Sequence, residues 1–154
     1  IERLQNPFLW KNYMIRKQLL EEKNPAGTTN EMILFHGTAQ DTLDSISHLG
    51  FNRSYAGRNA TAYGNGTYFA VHANYSAGGT YARVDANGFK HMYRARVLTG
   101  VFCRGAAGMV TPPAKNPANP TDLYDSVVDN VQAPSMFIIF NDIQAYPEYL
   151  ITFR

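Results

Sequence analysis

The chain has 154 residues, 45% of them hydrophobic and 17% charged, with a formal net charge of +2. That balance fits one compact domain with one core and excludes a disordered chain. No apolar run approaches the roughly 18 to 20 residues that span a bilayer, and the scattered Lys and Arg read as a solvated surface, not a nucleic-acid groove.

Cys103 is the only cysteine, which leaves neither an intrachain disulfide nor a zinc cluster. In the run Val101–Phe102–Cys103 it reads as core filler in a reducing compartment. The first residue is Ile1, and Ile1–Glu2–Arg3 reads as the tail of a strand. A C-terminal fragment of a longer protein is therefore expected. Ten tyrosines are the unusual count. Their flat faces and polar tips suit a pocket that stacks on rings and hydrogen-bonds at the same time.

In chain order, Asn6-Pro7 starts a helix, with Asn as cap and Pro in the first turn. Leu9, Trp10, Tyr13, Met14 and Leu20 give it an apolar stripe ending near Glu22, and Asn24-Pro25-Ala26-Gly27 breaks it. A short strand, Met32–Phe35, runs into His36-Gly37-Thr38. Asp41–Leu49 reads as a second helix stopped by Gly50. Asn52–Gly66 is a loop, followed by a strand over Thr67–Val71. Ala73–Tyr81 is expected to be helical, weakened by Gly78 and Gly79. Asp85–Gly88 turns into a strand over His91–Val101. Pro112–Pro120 is a loop, and strands at Met136–Phe140 and Tyr149–Phe153 close the chain. The fold class is α+β with a largely antiparallel core.

Three segments carry polar groups suited to a ligand. His36 can present a ring nitrogen to a hydroxyl, and Gly37 beside it lets backbone approach closely. Tyr63-Gly64-Asn65-Gly66-Thr67-Tyr68-Phe69-Ala70 places two glycines before a strand that alternates Tyr68 and Phe69 between faces. This order is the reverse of a phosphate-binding glycine loop, so taken alone it is a tight turn into a core strand. Ser76 offers a hydroxyl, and Tyr81 a ring that could cover a planar ligand. There is no nucleophile elbow and no P-loop, and neither His72 nor His91 has metal-ligand spacing to another His or Cys. The polar groups look built to hold a ligand more than to deprotonate one.

Taken in order, Leu34–Thr38, Gly50–Ser54, Tyr63–Ala70, Tyr75-Ser76, Arg96–Gly100 and Gln144-Ala145-Tyr146-Pro147 make the chain similar to the catalytic domains of the poly(ADP-ribose) polymerase superfamily. It most resembles the mono-ADP-ribosyltransferases that carry macro domains. The resemblance implies split antiparallel β-sheets with flanking helices and an NAD cleft. It implies that His36 bonds the adenosine ribose and that the Gly37 backbone and the Ser76 hydroxyl clamp the nicotinamide carboxamide. Tyr68 and Tyr81 would sandwich the nicotinamide ring, and Thr38, Ser45 and Arg53 fall near the adenosine and pyrophosphate. NAD is the implied co-substrate, without a metal. Acceptor proteins are the implied partners, with the chain itself a candidate, in the cytoplasm or nucleus and without a membrane.

The family's third catalytic position falls at Met136. Polymer-forming members carry Glu there, and Met cannot bond or deprotonate a hydroxyl. Single ADP-ribose transfer to Glu or Asp side chains is therefore expected. Glu148 reads as an exposed carboxylate in the turn before the last strand, and neither it nor Asp142 falls at the matching position. A bulky side chain at Gly37 is expected to fill the nicotinamide space and leave the fold largely intact. The rival readings are an NAD-binding scaffold with weak or no activity, and transfer to nucleic-acid ends.

Overall fold

A computed structural model describes residues 1–53 and 61–154. Residues 54–60, the centre of the loop expected over Asn52–Gly66 and including Ser54, lie outside the described residues. The first helix, α1 (Pro7–Lys23), starts as its sequence dictates. The Asn6 side chain accepts the Leu9 N–H at 3.1 Å, and Pro7 fills the first turn, where no N–H is required. Tyr13 and Leu20 are buried, whereas Trp10 and Met14 of the expected stripe stay more than a third exposed. The helix packs with Leu98 and Tyr146 in a small core of its own.

The strands are β1 (Glu2–Arg3), β2 (Glu31–Thr38), β3 (Thr67–Ala70), β4 (Lys90–Leu98), β5 (Phe102–Arg104), β6 (Ser126–Val128), β7 (Met136–Ile139) and β8 (Ala145–Phe153). Two shorter helices, α2 (Leu43–Leu49) and α3 (Ala73–Ser76), complete the α+β fold. The sheet order is β1-β8-β4-β2-β3-β7-β6-β5. Among the described strands β5 and β6 run parallel and the other neighbours are antiparallel.

The seam of the sheet positions the site. β2 and β4 are in register from Glu31 opposite Leu98 to Thr38 opposite His91. β2 and β3 are in register only at Phe35 opposite Ala70. The sheet is thus two halves joined at one pair, and β2 has no register partner on β3 at His36 and Gly37. Across the join, Phe51, Phe69, Tyr93 and Phe137 pack with Leu34 into the main core. Each such aromatic contributes roughly 1.5 to 3 kcal/mol by leaving water.

Several elements differ from their sequence expectation. His36-Gly37-Thr38 lies inside β2, not beyond it. The second helix is a 3-10 turn, Gln40–Thr42, followed by α2, which Gly50 ends with φ at +81°. The third stops at Ser76, because Gly78 and Gly79 lower helix stability by about 1 kcal/mol each. β4 ends at Leu98, since Gly100 turns the chain with φ at +52°. β6 was not foreseen: Ser126, Val127 and Val128 are all buried, so no alternation marks them.

β8 starts at Ala145, earlier than expected, and this corrects the reading of Glu148. The pairing of β8 with β4 shifts register between Arg94 and Arg96, opposite Pro147 and Glu148. A bulge accommodates a proline, which has no N–H to give a ladder. Glu148 is therefore a buried strand residue, not an exposed turn carboxylate.

Where the turn after β4 meets α1, a single carboxylate ties three segments. Asp125 is buried and accepts from Lys23 Nζ at 2.6 Å, Asn24 Nδ2 at 2.8 Å and the Val101 N–H at 2.9 Å. Buried Gln144 adds bonds to the Leu98 and Asp125 carbonyls at 2.7 and 2.6 Å. Asp125→Ala would strand the amide donors and the Lys23 ammonium, although Lys23 remains partly in water. A loss of about 2 to 4 kcal/mol is expected, read as a lower urea midpoint at unchanged slope. An unchanged midpoint would show that water replaces the carboxylate.

Candidate active site

His36 sits on β2 beside the seam, with its ring against Phe51 and Phe69 at centroid distances of 5.1 and 5.4 Å. Its Nδ1 lies 2.8 Å from the Tyr68 carbonyl oxygen. A carbonyl can only accept, so Nδ1 carries the hydrogen and Nε2 is left with a lone pair. Desolvation pushes the imidazole below its ordinary range, and the carbonyl contact only partly opposes this. The ring is therefore neutral at neutral pH and can accept a hydrogen bond from a hydroxyl through Nε2.

Tyr68 comes from β3, across the seam. Its hydroxyl accepts the Tyr63 N–H at 2.9 Å and donates to the Gly64 carbonyl at 2.8 Å. Those two bonds fasten the ring to the glycine turn, and burial raises the phenol further above its already high range. Phe69 is buried on the other face, as the alternation predicts. Ser76, the last residue of α3, is buried and donates to the Phe35 carbonyl at 3.1 Å. Its hydroxyl oxygen thereby abuts β2 one residue before His36 and keeps lone pairs for an incoming amide.

Gly37 explains how α3 comes so close. A Cβ at Gly37 would overlap the Ser76 carbonyl oxygen and lie 3.0 Å from the Ala82 nitrogen. The expectation that a bulky residue at Gly37 spares the fold is thus corrected. Any side chain there must move α3 or the backbone after it.

Tyr81 follows α3 and pairs with Tyr75. Their rings are 5.2 Å apart, tilted by 31°, and their hydroxyls are 3.0 Å apart. The bond to Tyr81 and burial push the Tyr75 phenol up to about 12. Tyr75 was legible only as part of the Tyr75-Ser76 block; nothing in the sequence marked it as the support for Tyr81. Thr38 ends β2 buried, in close hydroxyl contact with Thr42. Ser45 lies on α2, half-buried. Arg53 gives its N–H to Asp142 at 3.1 Å and its guanidinium to the Phe140 carbonyl.

Met136 opens β7 opposite Ala70, two positions from the pair Tyr68 and Ile138. Residues two apart on a strand, and register partners across strands, share a face. Met136 and Tyr68 therefore project to the same side of the sheet. Glu148 is held elsewhere: Arg96 Nε donates to it at 2.9 Å and Arg94 lies 3.6 Å away. A cleft of about 500 Å³ opens beside it, lined by Arg3, Trp10, Arg96 and Tyr146 among others. None of His36, Gly37, Tyr68, Ser76, Tyr81 or Met136 lines that cleft. Burial raises the Cys103 thiol, consistent with a packing role.

The seam thus assembles a neutral imidazole nitrogen, a serine hydroxyl beside open strand backbone, and two tyrosine-bearing segments. These groups can accept and donate hydrogen bonds to a polar ligand at the edge of β2. Comparison with known proteins identifies the family. The sequence model of the poly(ADP-ribose) polymerase catalytic domain matches residues 1–154. The chain is 60% identical over 154 residues to human protein mono-ADP-ribosyltransferase PARP14, covering all of this chain and 8% of that protein. It is 41% identical over 153 residues to human protein mono-ADP-ribosyltransferase PARP12, covering 99% of this chain and 21% of the relative. With mouse protein mono-ADP-ribosyltransferase PARP10 it shares 39% over 152 residues, 99% of this chain and 16% of the relative. The chain thus spans a small part of the length of these relatives. By this match along its whole length, the chain belongs to the poly(ADP-ribose) polymerase catalytic-domain family.

Proposed function

We propose that this domain transfers one ADP-ribose unit from NAD to an acceptor side chain, Glu or Asp, and releases nicotinamide. The observation that carries the reading is the convergence of His36, Ser76 and the Gly37 backbone at the open edge of β2. NAD supplies the labile bond: the ribose C1–nitrogen bond breaks with its electron pair leaving on nicotinamide, and a carboxylate oxygen of the acceptor bonds C1. An ionised acceptor carries no proton to remove, so the balance needs no general base.

The chain's own residues contribute by positioning. In this reading His36 Nε2 accepts a hydrogen bond from a hydroxyl of the adenosine ribose, and the Gly37 backbone with the Ser76 hydroxyl fixes the carboxamide. The rings of Tyr68 and Tyr81 flank the leaving group, while Thr38, Ser45 and Arg53 lie toward the adenosine and pyrophosphate. Holding the leaving group in one orientation leaves the opposite face of the sugar to the acceptor. Met136, on the Tyr68 face, occupies the position where chain growth would need a carboxylate. The reading includes no metal: among the described residues no three His, Cys, Asp or Glu side chains gather to hold one. No described helix is long and apolar enough to cross a membrane. The acceptor is a protein, the domain itself among the candidates, in an intracellular setting.

Benzamide, which carries the same ring and carboxamide, tests the pocket. It should compete with NAD, and Ser76→Ala should weaken it by about 0.5 to 1.5 kcal/mol, the net value of one neutral hydrogen bond. Titration by calorimetry measures both. Unchanged affinity in Ser76→Ala would remove Ser76 from the pocket.

A further inference from the structure

Position 136 is fixed by a carboxylate in the turn that precedes it. Asp129 follows β6 directly and begins the turn into β7. One of its oxygens accepts the backbone N–H groups of Ser135 at 3.0 Å and Met136 at 3.2 Å. The other accepts the Ser135 hydroxyl in a short contact. Ser135 is tied in turn to the far strand, because its carbonyl accepts the Val71 N–H at 3.0 Å, just past the end of β3. Asn130 continues the same turn, its side chain accepting the N–H groups of Gln132 at 3.0 Å and Ala133 at 3.4 Å. The start of β7 is therefore clamped from β6 and from β3.

Such a clamp exceeds what the turn alone requires. Val127 and Val128 already pair with Ile138 and Phe137, and the main core holds Val128 and Phe137. What Asp129 adds is the placement of the one residue before that ladder, Met136, relative to Ala70 and hence to Tyr68. The carboxylate is partly desolvated, yet three accepted bonds favour its ionised form and aim both oxygens at the start of β7. Those bonds hold it below the ordinary carboxylate range even against partial desolvation. At neutral pH it is a fixed anion and a permanent acceptor.

We propose that Asp129 is a positioning residue for the acceptor side of the cleft: it sets the Met136 wall against which the incoming side chain is seated. The proposal rests on the assignment of the Tyr68 face to the NAD cleft. Among the carboxamide-holding groups, Gly37 and Ser76 receive no bond from Asp129, so loss of the clamp should reach the acceptor side before the carboxamide.

Partition between acceptors tests it. The domain is incubated with labelled NAD, and both protein-bound ADP-ribose and free ADP-ribose from transfer to water are measured, with benzamide affinity alongside. Asp129→Ala should lower protein transfer about tenfold or more, the scale of a small misplacement. The release of free ADP-ribose and the benzamide affinity should stay within about twofold of the parent. Asp129→Asn, which keeps one acceptor oxygen, and Ser135→Ala, which removes only the hydroxyl, should fall between, so the result does not hang on one variant folding. If the variants keep the parent's ratio of protein-bound to free product, or lose transfer only in proportion to benzamide binding, Asp129 is merely structural and the proposal fails. A parent domain that does not bind benzamide would instead refute the cleft assignment beneath it.

Discussion

Replacing His36 with alanine is expected to lower ADP-ribosyl transfer by about 100-fold or more. The side chain does two things at once. Its Nδ1–H holds the Tyr68 carbonyl across the seam, which leaves Nε2 of the neutral ring with a lone pair as an acceptor. Alanine removes both, and leaves a gap between Phe51 and Phe69, so stability should fall as well. His36→Gln, whose amide can still donate to the carbonyl, should recover stability more than rate. Steady-state kinetics and thermal unfolding of both variants check this. The pH dependence follows from the direction of the shift. Because desolvation lowers the pKa of the folded ring, the neutral form persists as pH falls through about 6.5, the ordinary value. The rate should hold through that range and drop only below it. The unfolded chain, by contrast, takes up the proton there, so His36 contributes a loss of stability as pH falls below that value. A rate already halved near pH 6.5 would contradict a desolvated ring.

Gly37→Ala is the second change with a large expected effect, although it adds only one methyl group. The Cβ would overlap the Ser76 carbonyl oxygen. β2 cannot retreat, since it is in register with β4 along its whole length. The strain must therefore displace α3 and the backbone at Ala82, next to Tyr81. Overpacking of this kind costs about 1 to 3 kcal/mol. Benzamide affinity should fall about tenfold or more together with stability, because Ser76 and Tyr81 move with the displaced backbone. A variant with parental melting temperature and parental affinity would show that α3 yields freely.

The general shape of the site was legible in the sequence because its residues sit in short, ordered blocks. His36-Gly37, Tyr68 and Ser76 each looked weak alone, and their order along the chain carried the family resemblance that proposes them. The seam then brings them together: a single register pair, Phe35 with Ala70, sets β3 beside the open edge of β2. The elements that sequence misread share a cause, which is that tertiary context overrode local pattern. Glu148 lies next to a proline and looked like a turn, but a bulge opposite Arg94 and Arg96 admits Pro147 and gives the carboxylate two guanidinium partners. β6 is buried throughout and carries no period to read. Asp129 belongs to no quoted block, and its role follows only from bonds to Ser135 and Met136 that no spacing rule encodes. The close approach at Gly37 was read as room for a ligand, whereas the structure fills the space beside its α-carbon with α3.

Transfer of one ADP-ribose per acceptor rests on Met136 at the start of β7. Extending a chain requires a ribose hydroxyl to attack a second NAD. A hydroxyl is a poor nucleophile near neutral pH and needs a placed carboxylate to orient and partly deprotonate it. Met136 offers no such group, Glu148 is engaged by Arg94 and Arg96, and Asp129 has both oxygens occupied. Met136→Glu would restore a carboxylate but not the surface that seats a polymer, so little chain growth is expected from that change alone. The direct measurement is the intact mass of the domain, with an acceptor protein present, after incubation at saturating NAD, followed by digestion to the modified peptides. Each modified side chain should carry a single ADP-ribose, whatever the number of sites. A series of peptides bearing two, three and more units on one side chain would contradict the account.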